Sequence, residues 1–132
     1  MKKNLIELLQ KFRIPFSDVE VLTDSVPPSE ISKLQFRDVI NDWVVDENNE
    51  NMNDYIKDDI RMRICKSELI THRELTNRQI RLRELLLEYS YDATLILMSM
   101  PRPTLDNCSP KFTISVPLYM AWLEMLTQVK FV

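Results

Sequence analysis

Glycine is absent from the 132 residues of this chain. Average usage of about 7% would give roughly nine glycines in a chain of this length. Loops that bind phosphate through their backbone need glycine, because a side chain would block the close approach of the ligand. The missing glycines therefore exclude the GxGxxG dinucleotide motif and the P-loop.

Histidine and cysteine are scarce. The chain has one histidine, His72, and two distant cysteines, Cys65 and Cys108. Zinc sites need ligands in close pairs, which this spacing does not supply, and two remote cysteines favour reduced thiols in a cytosolic setting over a disulfide. His72 falls where a helix is predicted to begin, so we expect it on the exposed surface and not as a catalytic base.

Long apolar runs are also missing, and the charge balance is slightly acidic. No uninterrupted apolar stretch approaches the length of about 18 residues that crossing a bilayer requires. The net charge is −3 and the pI is about 5.2, which argues against nucleic acid as a partner. The basic start Met1-Lys2-Lys3 is interrupted by Glu7, so it predicts an amphipathic helix and not a secretory signal.

The apolar spacing predicts four helices. They cover residues 4–12, a segment capped by Ser29 that reaches Trp43, a long helix from Thr71 to about Tyr89, and a last helix capped by Ser115. Capping boxes are predicted for Thr71 with Glu74 and for Thr76 with Gln79. The long helix is expected to bury Ile80, Leu85, Leu86 and Tyr89, and the last helix carries the cleanest stripe: Leu118, Ala121, Trp122, Met125, Leu126 and Val129.

Two segments have strand character. Residues 19–22 suit a short strand, and residues 93–100 are apolar on both faces until Pro101 stops them. Such a two-sided apolar run is typical of a central parallel strand that helices cover on both faces. The sequence therefore predicts the α/β class, with helices packed on a small, mostly parallel sheet. Trp122 and Tyr119 are expected in its core, whereas the pattern leaves Trp43 undecided between core and surface.

Two loops interrupt these elements, at about residues 46–59 and at residues 101–115. The first is acidic, with pairs at Asp46-Glu47 and Asp58-Asp59, yet it lacks the ligand ladder and glycine of an EF-hand. The second carries three prolines. Residues 38–59 are mostly acidic and residues 61–83 mostly basic, which indicates either two solvated faces or an acidic loop docked on a basic helix.

Four stretches carry a family resemblance. They are Lys11-Phe12-Arg13-Ile14 with Phe16-Ser17-Asp18-Val19, residues 78–90, residues 93–101, and Leu118-Tyr119-Met120-Ala121-Trp122-Leu123-Glu124. Together they resemble the carboxyl-terminal cytosolic regulatory domain of the electroneutral cation-chloride cotransporters. The sequence from Tyr119 to Glu124 resembles that of the sodium-dependent branch, which comprises sodium-potassium-chloride and sodium-chloride cotransporters.

The resemblance implies that residues 1–132 form part of a cytosolic regulatory and self-association domain, which follows twelve membrane helices and is not an enzyme. It implies homodimerisation through the parent transporter, contact with the transport domain in cis, and regulatory kinases as partners. No residue inherits a catalytic, cofactor or metal role, because the family binds its ions in the membrane part. The family's domain continues beyond the position of Val132, so we expect the sheet to lack its C-terminal strands.

A rival interpretation is a free-standing soluble module for protein interaction that shares this domain. A small α/β enzyme is the third and weakest reading, since no nucleophile with its base, no metal cluster and no glycine loop supports it. If the chain is made alone, we expect it in the cytosol; within a parent transporter, it would lie on the cytoplasmic face of the membrane.

Overall fold

The computed structural model describes residues 1–22, 26–46, 63–101 and 114–128. Its elements, in chain order, are α1 (Lys2–Lys11), α2 (Glu30–Ile40), a 3₁₀ turn (Asn41–Trp43), β1 (Val44–Val45), β2 (Ile64–Cys65), α3 (Lys66–Thr71), α4 (Arg73–Tyr89) and α5 (Val116–Thr127). The positions of α1, α2, α4 and α5 agree with the sequence pattern to within a few residues.

Helix α5 lies at the centre of the core. Its N-cap is Ser115, as predicted, and the Ser115 hydroxyl accepts a hydrogen bond from the Leu118 N–H. Pro117 fits the first turn because an amide proton there has no partner within the helix. The predicted apolar stripe is confirmed over the described residues: its buried members are Leu118, Ala121, Trp122, Met125 and Leu126.

Helices α2 and α4 pack against α5 and complete the core. Phe36 and Ile40 come from α2, Ile80 comes from α4, and Ile114 precedes α5. The N-cap of α2 is Ser29, again as predicted, with its hydroxyl accepting from the Ser32 N–H. Burying side chains of this size stabilises the fold by about 1.5–3 kcal/mol each.

The sheet is small and parallel, which confirms the α/β class, but its strands lie where none was predicted. β1 pairs with β2 in the register Val44 with Ile64 and Val45 with Cys65. Ile64 is fully buried and Val44 packs on the core cluster, so the pair serves as an extension of the helical core. Two-residue strands are too short for alternation to be recognised in the sequence.

Both predicted strands are wrong. Residues 19–22 are irregular, although Val19 is buried, and residues 93–100 form no strand. In the latter segment Leu97 is 86% exposed and Leu95 71% exposed, so Trp122 does not pack on a central strand there. The physical reason is pairing: a strand needs a neighbouring strand to bond its backbone, and no described residue supplies one to residues 95–100.

The start of the long helix also differs from the prediction. Thr71 ends α3, where its hydroxyl donates to the Ser67 carbonyl, and α4 begins two residues later. Thr76 and Gln79 lie buried inside α4, so neither predicted capping box forms. His72 joins α3 to α4 and is only 8% exposed, so the expectation of a surface histidine is wrong.

Helix α1 ends in a Schellman motif without glycine. The Ile14 N–H donates to the Leu9 carbonyl, and the Arg13 N–H donates to the Gln10 carbonyl. The residue after the helix cap is Arg13, with φ 53°. Glycine usually fills this left-handed position. The glycine-free sequence therefore places an arginine in a conformation that costs about 1–2 kcal/mol.

Candidate functional site: an uncovered apolar segment beside a polar helix junction

A polar junction fixes α2 to α4. The backbone N–H and the hydroxyl of Ser29 donate to Glu84 Oε1 at 2.8 and 2.7 Å. Arg81 Nη1 donates to the other carboxylate oxygen, Oε2, at 2.7 Å. The Ser29 hydroxyl also lies 3.0 Å from that of Ser32. One carboxylate thus holds the N-terminus of α2, where the helix dipole favours a negative charge.

The protonation of Glu84 reflects this environment. Burial raises its pKa, but hydrogen bonds from Ser32, Arg81 and Ser29 lower it further than burial raises it, and the pKa falls to about 2. The side chain is 15% exposed. Glu84 is therefore ionised at neutral pH, and its charge serves the junction and not a proton transfer.

Further polar contacts position α3 and α5. Glu68 Oε1 accepts a hydrogen bond of 2.7 Å from the Ser115 N–H, which ties α3 to the start of α5. Lys66 Nζ lies 2.8 Å from Asp46 Oδ2, so the basic start of α3 contacts the residue that follows β1. Asp46 is the described residue of the predicted acidic loop; whether residues 47–59 dock on the basic helix lies outside the described residues.

Residues 93–101, here called the uncovered segment, are the least expected surface feature. The side chains of Leu95 and Leu97 are exposed, whereas Ile96 and Met100 are half-buried, and Met100 packs on the core cluster. The segment is thus anchored at its end, while most of its other side chains face outward. An exposed apolar stretch with strand character is a template for pairing with another chain.

An apolar groove lies between α2 and α5. Its volume is about 480 Å³, and its wall consists of Val39, Trp43, Met120, Ala121, Leu123, Glu124 and Thr127. Trp43 and Met120 are 42% and 51% exposed, so the groove opens to the surface. Trp43, which the sequence left undecided, therefore lies at the rim of the core and not inside it, whereas Trp122 is fully buried as predicted.

The residues weighed for chemistry lie in separate elements of the fold. Cys65 is half-buried in β2, His72 is buried between α3 and α4, and Cys108 lies outside the described residues. Within residues 1–22, 26–46, 63–101 and 114–128, no three histidine, cysteine or acidic side chains gather as metal ligands do. Over the same residues, none of the helices combines the length and apolar character needed to cross a bilayer.

Comparison with known proteins shows which family this chain belongs to. The sequence profile of solute carrier family 12 matches residues 1–129. This chain belongs to solute carrier family 12. The resemblance to cation-chloride cotransporters of the sodium-dependent branch is thereby confirmed.

The relatives of this family member are long proteins. It is 38% identical over 130 residues to solute carrier family 12 member 2 of Homo sapiens. It is 39% identical over 128 residues to the bumetanide-sensitive sodium-(potassium)-chloride cotransporter of Manduca sexta. It is 35% identical over 130 residues to solute carrier family 12 member 1 of Mus musculus. Each match covers 96% of this chain and only 10–11% of the relative, so the chain spans about a tenth of their length.

The Glu84 junction and the exposure of Leu95 and Leu97 were not predicted from the sequence of this family 12 chain. The junction at Glu84 carried no signal, because a glutamate on a helix rich in arginine predicts a solvated pair. The exposure of Leu95 and Leu97 could have been inferred from the small number of strands available to pair with them.

Proposed function

We propose that this chain is a regulatory and self-association domain of a cation-chloride cotransporter, placed on the cytoplasmic face of the membrane. In this role it does not transport; it supports the coupled movement of chloride with sodium or potassium by the membrane part of the parent polypeptide. Membership of solute carrier family 12 and the names of the relatives as solute carriers and a cotransporter support the proposal.

The uncovered segment is the observation that carries self-association. Its sequence suits a strand, the backbone of residues 95–100 has no strand partner among the described residues, and its most exposed apolar side chains are Leu95 and Leu97. A second copy supplies the same segment in the opposite direction, so that each leucine row meets its equivalent across a two-fold axis. Pairing would satisfy the backbone and remove both leucines from water at once.

Sedimentation analysis of the 132-residue chain tests this proposal. We expect a dimer that dissociates on dilution, and we expect the double variant Leu95→Lys, Leu97→Lys to remain monomeric. The matched control is the double variant Ile31→Lys, Leu34→Lys, which adds the same two charges at exposed apolar positions of α2. A dimer that survives the Leu95→Lys, Leu97→Lys variant, or that the control disrupts equally, would contradict self-association through the uncovered segment.

We propose that regulation acts through the contact between α2 and α4. The uncovered segment follows α4 directly, and α4 carries the Glu84 junction to α2. A change at that junction would therefore reach the segment through one helix. Hydrogen exchange on the Glu84→Gln variant tests this link: faster exchange of amides in residues 93–100 supports it, and unchanged exchange there argues against it.

A further inference from the structure

A second cleft, between α2 and the α3–α4 unit, has a different chemical character from the apolar groove. Its volume is about 410 Å³, which is in the range of small-molecule sites. Three cationic side chains line it, Lys33 and Arg37 from α2 and Arg73 from α4, together with the carboxylate of Glu30. The name basic cleft is used below for this surface. Its formal charge is +2, three cations less one anion.

One of the three cations is already paired with the carboxylate of the cleft. Lys33 Nζ lies 2.7 Å from Glu30 Oε1. The pKa of Glu30 is lowered by the hydrogen bond from Lys33, by the charge of Lys33 and, more weakly, by Arg37 and Arg73. The Glu30 side chain is 81% exposed, so it marks the solvent side of a cleft that the three cations line. Neither arginine forms an ion pair with any other described residue, so both retain donors for a ligand.

A polar side chain adds donors to the cleft. Asn77 lies on its wall and offers its amide N–H groups to a ligand. Thr76 lines the same wall, but its hydroxyl oxygen is fully buried and therefore lies out of reach of a molecule in the cleft.

We propose that the basic cleft binds a phosphomonoester dianion, held by Arg37, Arg73 and the Asn77 amide. A phosphate presents three acceptor oxygens and two negative charges, which match two guanidinium forks and an amide donor. A carboxylate offers fewer acceptors and half the charge. Such a phosphate is carried either by a free small molecule or by the headgroup of a phospholipid, and both share the chemistry that this cleft recognises.

Calorimetric titration of the 132-residue chain with sn-glycerol 3-phosphate tests the free form, and sedimentation with phosphatidylcholine vesicles containing phosphatidic acid tests the lipid form. Either ligand should bind saturably. Arg73→Gln and Arg37→Gln should each weaken binding about tenfold, the loss expected for one charged hydrogen bond. Glu30→Gln should tighten it several-fold, because the competing carboxylate loses its charge.

The matched control is Lys11→Gln, which removes one positive charge from α1, outside the basic cleft. Arg37 and Arg73 are exposed, so their variants keep the fold, and a circular dichroism melt checks this. Binding of glycerol phosphate identifies a free ligand, and binding to vesicles alone identifies a lipid headgroup. No binding of either, or equal losses in Lys11→Gln and Arg73→Gln, would overturn the proposal, as would weaker binding in Glu30→Gln.

Discussion

Both donors of Ser29 reach a single oxygen of Glu84, the backbone N–H at 2.8 Å and the hydroxyl at 2.7 Å. The two residues lie 55 positions apart in the sequence. The contact therefore closes a long stretch of chain and fixes where α2 begins relative to α4. With Arg81 on the second carboxylate oxygen, Glu84 satisfies donors from two helices.

Replacing Glu84 with glutamine should make the free energy of unfolding depend less on pH in the acid range. The pKa of Glu84 is about 2 in the folded chain and 4.5 in its unperturbed state, so the native form disfavours the proton. Its contribution is complete above about pH 4.5 and is lost as the pH falls towards 2. We expect Glu84→Gln to lower the free energy of unfolding by about 1–2 kcal/mol at pH 7, after allowance for solvent screening.

Urea unfolding at pH 7 and near pH 2.5 measures that difference. The gap between the two proteins should shrink at the lower pH, because Glu84 of the unfolded wild-type chain binds a proton there while Glu84 of the folded chain, with a pKa of about 2, remains mostly ionised. Glu88→Gln is the control, since Glu88 is an exposed glutamate on the same helix. A gap that stays constant with pH would show that Glu84 contributes packing and not charge.

Truncating Trp122 should be among the most costly single substitutions. The side chain is fully buried within the core cluster. Trp122→Ala should therefore lower the free energy of unfolding by about 3–5 kcal/mol. Trp43→Ala, at a half-open position, should cost less than about 1.5 kcal/mol.

The Trp122→Phe variant separates the contribution of the indole N–H to stability from that of the side-chain volume. The indole N–H of Trp122 is buried and has no hydrogen-bond partner among the described residues. Trp122→Phe removes this donor and keeps most of the ring, so it should cost clearly less than alanine, about 1–2 kcal/mol. Equal costs for phenylalanine and alanine would mean that the N–H has a partner in the native protein.

Removing the cap of α5 should weaken the core helix. Ser115 accepts from the Leu118 N–H through its hydroxyl, and its own N–H donates to Glu68. Ser115→Ala should lower the free energy of unfolding by about 1 kcal/mol. Ser115→Asp keeps a capping oxygen, but brings a negative charge near the Glu68 carboxylate. It should recover part of the loss, and full loss in both variants would assign the effect to a contact other than the cap.

Arg13→Gly should stabilise the end of α1. Arginine at φ 53° carries a steric cost that glycine avoids, partly offset by the greater freedom of glycine in the unfolded chain. A net gain of about 0.5–1 kcal/mol would slow amide exchange at Ile14 about two- to fivefold. Lys11→Gly, inside the last helical turn, should accelerate it instead. Faster exchange in Arg13→Gly would contradict the left-handed conformation.

The helices of this fold could be predicted from the sequence, because helix caps and helical periodicity depend on residues that are close together in the chain. Ser29 and Ser115 mark helix starts through hydroxyls that bond amides only three residues away. The stripe from Leu118 to Leu126 repeats with the helical period, so its buried face follows directly. Family membership was accessible for a similar reason, since the motif around Tyr119 to Glu124 is contiguous.

The strands and the candidate sites could not be predicted from the sequence, because they depend on partners that are distant in the chain. Residues 93–100 have the composition of a buried strand, but a strand also needs a neighbouring strand, and none pairs with residues 95–100 among the described residues. β1 and β2 are two residues each and are identified only by pairing with each other. Likewise, nothing local distinguishes Glu84 from any solvated glutamate, nor Arg37 and Arg73 from ordinary solvated arginines.

The contrasting environments of the two tryptophans give this chain a built-in optical probe. Trp122 is sealed in the core, so its emission should be blue-shifted and shielded from iodide quenching, whereas Trp43 lines the apolar groove and faces water. Any molecule that enters the groove would change the second signal and leave the first as an internal reference. Groove occupancy and global unfolding can therefore be followed separately in unlabelled protein, from the same emission spectrum.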